Sequence, residues 1–263
     1  MSRSLIGDYI DSFRNPGFWT YSTWLELVTK YRRSRLGLFW ALCPALVYMF
    51  GVGGFFGHLQ GHVSDTYIPH LGIGYVLFRL ITISLSESTT TLPGHSSFIL
   101  DGRVRLTDYV LRVVAKAFFY FVMALPAVIV ALSISPSFNP AGLLLSLPWF
   151  LLLLLNLGWM VAIVAVLGAR LQDVHELIGS ILMFSFLFTP IIWYADQAPA
   201  DTLRGMIARA NPLYHMIESV RAPMLGEPVE KLTYIYLAVM LVGGWLVASF
   251  IYRRFARYVP VWV

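Results

Sequence analysis

Residues 117–169, AFFYFVMALPAVIVALSISPSFNPAGLLLSLPWFLLLLLNLGWMVAIVAVLGA, run for 53 positions without Asp, Glu, Lys or Arg. A helix rises about 1.5 Å per residue and a bilayer's hydrocarbon core is about 30 Å thick, so about 20 apolar residues make one crossing. The stretch is therefore long enough for two crossings. The uncharged, turn-rich Ser135-Pro136-Ser137-Phe138-Asn139-Pro140 between them marks where the chain reverses.

The same reading extends in both directions. Uncharged runs of 29 residues between Arg35 and Asp65, 19 between Glu176 and Asp196, and 21 between Lys231 and Arg253 add further candidates. Six spans fit best, at 37–57, 67–90, 108–133, 141–168, 176–194 and 232–252, the second interrupted by Arg79 and Glu87. The expected fold is an all-α integral membrane protein of six transmembrane helices. The chain is 58% hydrophobic and 13% charged, with a mean hydropathy of +0.70. Soluble domains carry about 25% charged residues. A soluble enzyme, a disordered chain and a disulfide scaffold are thereby excluded.

The net charge of +5 does not point to nucleic acid, because the basic residues flank the spans instead of sharing one surface. With both termini inside, 14 of the 19 Lys and Arg residues fall on the cytoplasmic side, the distribution that the positive-inside rule requires. The lone Cys43 excludes an intrachain disulfide. No cleavable signal peptide is expected in residues 1–35.

Residues 18–35 read as a separate amphipathic helix. Tyr21, Trp24, Val28 and Tyr31 share one face, and Ser22, Glu26, Lys30 and Arg33 the other. Such a helix lies in the membrane interface, either as an anchor for the first span or with its polar face docking a partner. Residues 1–36 thus form a cytoplasmic N-terminal segment, 37–252 the membrane domain and 253–263 a cytoplasmic tail. The segment 195–231 has apolar residues at helical spacing broken by Asn211-Pro212 and Pro223. Two short re-entrant outer helices meeting at Asn211-Pro212 are expected before the last span.

Chemistry-bearing patterns are few. Gly-Lys never occurs, so there is no phosphate-binding P-loop, and energy for uphill transport must come from another chain or an ion. His58, His62 and Asp65 superficially suit a metal, but they surround a Gly-rich loop and no metal site is assigned. Gly53, Gly57 and Gly61 recur every four residues, which suits either close helix packing or a flexible helix end. An arginine within a span, as at Arg79, faces a cavity, partner or anionic ligand, or else snorkels to the interface. Trp40, Tyr48 and Phe55 fall on one arc of the first span. Phe184 and Phe188 share one face of the fifth, with Phe186 and Trp193 on the other. These aromatic faces suit stacking on sugars, lipid contact or packing. No catalytic constellation is present, and Asp101, Asp108, Asp173 and Glu176 suit helix capping or docking equally.

Three segments carry a resemblance. Residues 30–44, Lys-Tyr-Arg-Arg-Ser-Arg-Leu-Gly-Leu-Phe-Trp-Ala-Leu-Cys-Pro, resemble the basic approach to the first span in permease subunits of polysaccharide ABC exporters. Residues 170–193, from Arg170-Leu171-Gln172-Asp173 to Phe188-Thr189-Pro190-Ile191-Ile192-Trp193, are similar to that family's cytoplasmic loop and fifth span, with Thr189 where the family usually has Ser. Asn211-Pro212-Leu213-Tyr214-His215 through Arg221-Ala222-Pro223-Met224-Leu225-Gly226 resembles its outer segment.

The resemblance, closest to the O-antigen type, implies a homodimer paired with two copies of a cytoplasmic ATPase, which holds the ATP and Mg. No cofactor is expected in this chain. The substrate would be lipid-linked polysaccharide, O antigen on undecaprenyl diphosphate or else capsule or teichoic acid, moved across the bacterial inner membrane. Trp40, Tyr48, Phe55, Phe184 and Phe188 would line a glycan conduit, and Arg79 would contact the lipid diphosphate. Glu26, Lys30, Arg33, Arg103, Arg105, Asp173 and Glu176 would couple to the ATPase. Asn211, Pro212, Tyr214, Arg221 and Pro223 would form an outer gate. A small-molecule permease of the same superfamily and a membrane-embedded glycosyltransferase or acyltransferase are the alternatives.

Overall fold

The computed structural model describes residues 4–59, 64–102, 104–136 and 138–263, and these are helical with no strand among them. Two helices precede the first apolar one: α1 (Leu5–Arg14) and α2 (Gly17–Tyr31). The first span is built in three pieces, α3 (Phe39–Leu46), a π-helical turn (Val47–Val52) and α4 (Gly53–Leu59). Pro44 lacks an N–H and weakens the α-helical ladder just before the wider turn. Then follow α5 (Ser64–Thr91), a 3-10 turn (Pro93–His95), α6 (Ser96–Leu100), α7 (Leu106–Ser133) and α8 (Pro140–Arg170). The chain continues through α9 (Val174–Phe188), α10 (Leu203–Ala210), α11 (Pro212–Met224), α12 (Lys231–Phe255) and α13 (Val259–Trp262).

Five helical stretches are long and apolar enough to cross a membrane: Phe39–Leu59, Asp65–Thr91, Leu106–Ser133, Pro140–Arg170 and Lys231–Trp262. The sixth expected crossing is shorter than the sequence indicated. Instead of running over 176–194, α9 has 15 residues and stops at Phe188, a length of about 22 Å at the helical rise. Thr189 is extended (φ −85°, ψ 130°) because it precedes Pro190, whose ring disfavours the α conformation one residue earlier. Trp193 consequently lies beyond the helix and does not share a helical face with Phe186.

α5 is the central post. It packs on α7, α8, α9 and α11, and most of its surface is buried. Backbone-to-backbone approach sets these contacts. A Cβ on Gly168 would fall 2.1 Å from the Thr89 carbonyl oxygen, and one on Gly142 would fall 1.7 Å from that of Pro223. Glycine lets α8 touch α5 at one end and α11 at the other. Gly53 and Gly57 likewise face α5 through Ile68 and Tyr67, so they serve close packing; Gly61 lies outside the described residues.

Both chain ends fold onto one end of the bundle. Tyr9 Oη of α1 donates to the Gly158 carbonyl at 2.8 Å, and Tyr252 Oη of α12 donates to Asp8 Oδ2 at 2.6 Å. Leu5 is fully buried and Tyr9 nearly so. α1 has no counterpart in the sequence reading, which places the first helix at residues 18–35. The expected tail 253–263 is also folded. Arg170 lies 5.6 Å from the ring centroids of both Phe255 and Trp262, an arrangement that pins α13 to the end of α8.

Candidate functional site

At the end of the bundle that holds the chain ends, α2 leans lengthwise on α7. Thr23 Oγ1 donates to the Arg112 carbonyl at 3.3 Å, Glu26 pairs with Arg112 at 2.6 Å and with Lys116, and Lys30 Nζ donates to Tyr120 Oη at 2.8 Å. Seven residues along α2 match eight along α7, so the two axes run side by side. The polar residues Glu26 and Lys30 therefore face α7. Tyr21, Trp24, Leu25 and Val28 face outward. Glu26 and Lys30, expected on a docking face, lean on α7 because their charges find partners there; Glu26 is half-buried and Lys30 stays exposed. Arg33 is exposed but lies past the end of α2, which closes at Tyr31.

This charged junction is shared by three elements. Lys116 also pairs with Glu87 of α5 at 2.9 Å, so Glu87 finds its partner on α7 and not at Arg79. His95 Nδ1 lies 2.7 Å from the Thr91 carbonyl, which fixes the proton on Nδ1 and leaves Nε2 to accept from Arg112. Burial pushes His95 below its usual pKa, and Arg112 adds to that. Burial alone would raise the Glu26 carboxyl, but Lys116 and Arg112 together outweigh it and hold the group below the usual carboxylate range. A cavity of about 310 Å³ opens among Glu26, Glu87, Thr90, His95, Arg112 and Lys116.

The loops beside the junction are arranged differently. Asp173 and Glu176 are exposed at the turn from α8 to α9. His175 beside them reaches back to Thr89 Oγ1 at 2.8 Å and holds that turn against α5. Arg105 is half-buried, and its backbone N–H donates to Asp108 Oδ2 at 3.1 Å, which caps α7. Arg103 lies outside the described residues.

The aromatic residues separate into an inner and an outer set. Tyr48 stacks on Tyr75 of α5 with centroids 3.9 Å apart and meets Phe186 of α9 edge-on at 6.2 Å. Phe186 also packs on Phe78. Trp40, Phe55, Phe184 and Phe188 are about half exposed or more. They do not enclose a channel within one chain but sit on the outer surfaces of the first span and α9. Phe188 and Trp193 line a cavity of about 420 Å³ with Leu187, Gln197, Arg204 and Ile207. Arg79 projects from α5 toward the first span and α7; its Nη1 donates to the Ala41 carbonyl at 3.2 Å, and its Cζ lies 5.5 Å from the Tyr120 ring centroid.

At the opposite end, α10 and α11 meet at Asn211. Its side chain accepts from Leu213 N at 3.0 Å to cap α11, and its Nδ2 donates to Thr189 Oγ1 at 2.8 Å. Pro212 occupies the first turn of α11, where a missing N–H costs nothing. Pro223 closes that helix against Gly142 of α8. Tyr214 and Arg221 are buried, not exposed in a loop. Arg221 Nη1 donates to the Pro190 carbonyl at 2.7 Å and lies 3.1 Å from His70 Nε2, while Nη2 pairs with Glu218. α11 thereby holds the broken end of α9 to α5. Glu218 and His70, not singled out from the sequence, belong to this network. His58 is exposed, His62 lies outside the described residues, and no group of three potential metal ligands occurs among the described residues.

A bundle of long apolar helices around a buried central helix, with polar networks at both ends, defines a multi-pass membrane protein. Residues 18–225 match the family model described as ABC-2 type transporter, and the chain belongs to that family. It is thus a transporter membrane subunit, of a kind that normally partners with an ABC ATPase. No curated protein matches the chain.

Proposed function

We propose that this chain is the membrane half of an ATP-driven exporter of lipid-linked polysaccharide, of the kind that moves O antigen on undecaprenyl diphosphate. It acts in the bacterial inner membrane as a homodimer with two ATPase copies, which bind ATP and Mg. α9, followed by the Pro190 break, serves as the sixth crossing and puts both termini in the cytoplasm. The observation that carries this reading is that Trp40 and Phe55 of the first span and Phe184 and Phe188 of α9 are turned outward, while Tyr48 and Phe186 join the two elements. Aromatic faces stack on the C–H faces of sugars and make no demand on their linkage. Closed against a second copy, these outward aromatics line a glycan conduit.

The ATPase docks on the exposed Asp173 and Glu176 turn, on Arg33, and on the segment that includes Arg103 and Arg105. Its movement reaches the spans through the Glu26–Arg112–Lys116–Glu87 chain, which ties α2 to α7 and α5. Asn211, Pro212, Tyr214, Arg221 and Pro223 hold the opposite end as the outer gate. The test is to purify the chain with the ATPase encoded beside it and to measure hydrolysis with and without lipid-linked glycan. Hydrolysis that rises with the glycan supports the reading. A chain that purifies alone and alters no ATPase refutes it.

A further inference from the structure

Where α9 breaks at Pro190, the chain builds a pocket at the end of the bundle opposite the termini. Leu187 and Phe188 come from the last turn of α9, and Trp193 follows the break. Gln197 closes a 3-10 turn (Ala195–Gln197), and Arg204 and Ile207 come from α10. Together they line about 420 Å³, within the range of small-molecule sites, about 300–1,000 Å³.

The walls are held in place by contacts within the chain. Trp193 Nε1 donates to the Leu187 carbonyl at 3.2 Å, which ties the indole back to the end of α9. α10 is pressed on the loop before it: a Cβ on Gly205 would fall 2.0 Å from the Pro199 carbonyl oxygen, and Arg209 Nη1 donates to the Ala198 carbonyl at 2.9 Å. A pocket fixed beforehand loses less entropy when it is filled.

Its recognition groups are spare. Among the described residues, neither Phe188 nor Trp193 meets another aromatic ring, whereas Tyr48, Phe78 and Phe186 deeper in the bundle are all paired. Arg209 and Arg221 at this end are engaged by Glu230 and Glu218. Arg204 has no such partner among the described residues, and no carboxylate lines the pocket. Aromatic faces stack on the C–H face of a sugar ring. A guanidinium beside them presents two parallel N–H donors to an acid group.

We propose that this pocket binds an acidic sugar residue of the exported glycan, one that carries a carboxylate. Trp193 and Phe188 take the ring, and Arg204 selects its charge. The inference rests on the export reading, which puts the pocket on the outer side, and it names a substrate class within that reading. An anionic phospholipid headgroup offers Arg204 the same charge, and the test separates the two sources.

The purified complex of this chain and its ATPase, in phosphatidylcholine nanodiscs without ATP, is titrated with a galacturonate tetramer, with the methyl ester of that tetramer, and with glycerol phosphate. Binding is read by saturation-transfer-difference NMR. The acid is expected to bind about tenfold more tightly than the ester, the worth of one charge-assisted pair. Arg204→Met should abolish that preference, and Trp193→Ala should weaken both sugars several-fold. Trp193→Phe should recover part of the loss and keeps the test open should Trp193→Ala disturb the end of α9. Equal binding of acid and ester, binding of neither, or an unchanged preference in Arg204→Met overturns the site. So does glycerol phosphate that displaces the acid as well as the acid displaces itself. If the site fails while hydrolysis still responds to lipid-linked glycan, the export reading stands; if acid-selective binding holds while hydrolysis ignores the glycan, the export reading alone falls.

Discussion

Glu26 of α2 and Arg112 of α7 form an ion pair with 2.6 Å between Oε2 and Nη2, and Lys116 joins the same carboxylate. The amphipathic helix is thereby anchored by its polar face, 86 residues away in sequence from its partner. Glu26→Gln leaves Arg112 and one side of Lys116 without a carboxylate, at a cost of about 1–3 kcal/mol to the local structure. Hydrogen exchange in α2 should rise in this variant while exchange in α8 stays unchanged.

The same pair carries a pH dependence. The carboxyl of Glu26 is held below its ordinary range in the folded protein, so its contribution is present above the unfolded value near ~4.3 and is lost as pH falls through the lowered one. His95 also has a lowered pKa, and it favours the fold above its unfolded value near ~6.5 and opposes it on acidification. Limited proteolysis between α2 and α3 should therefore accelerate first between about pH 6.5 and 5, and His95→Gln should remove that first step. No acceleration in the wild type would contradict the assignment.

Arg221 and Glu218 are a buried pair at the opposite end, with Arg221 also holding the Pro190 carbonyl. Removing one member strands a buried charge. Glu218→Ala should destabilise the protein by about 3–5 kcal/mol, read as a lower thermal aggregation temperature in detergent. Arg221→Met with Glu218→Leu should lose less than Glu218→Ala alone.

Gly168→Ala places a methyl group 2.1 Å from the Thr89 carbonyl oxygen. α5 and α8 must separate, at a cost of about 1–3 kcal/mol or more. Gly179→Ala, whose Cβ meets nothing within 4 Å, is the matched control on α9. Equal melting of the two variants would contradict the α5–α8 contact.

Much of this architecture was legible because a membrane imposes simple rules on composition. Uncharged runs located the long helices, and Asn211-Pro212 located the junction of α10 and α11. Other features depend on partners far away in sequence. The contact of Glu26 and Lys30 with α7 follows from Arg112, Lys116 and Tyr120, which no helical wheel of residues 18–35 contains. α1 is marked only by Leu5, Tyr9 and Ser12, spaced four and three apart in a polar setting. The early end of α9 had a local signal in Thr189-Pro190, outweighed in the sequence reading by the apolar residues that continue to Trp193. Burial of Arg221 needed His70 and Pro190 to come together, and neither is near it in the chain.

Exposed aromatics with no packing role should be separable from stability. Trp40→Ala and Phe184→Ala remove side chains that are 53% and 57% exposed and should shift stability by about 0.5 kcal/mol or less. Export of long glycans should nevertheless fall several-fold, measured as surface polysaccharide in cells. Tyr48→Ala should impair both, because its ring is stacked on Tyr75.

The central claim is ATP-driven movement of lipid-linked polysaccharide. Its most direct measurement uses proteoliposomes that contain this chain with its ATPase and a lipid-linked glycan, with an enzyme that cleaves only glycan exposed on the far leaflet. The account predicts cleavage that depends on ATP and on both subunits. Cleavage without ATP, or none with it while a small-molecule substrate is moved, would contradict it.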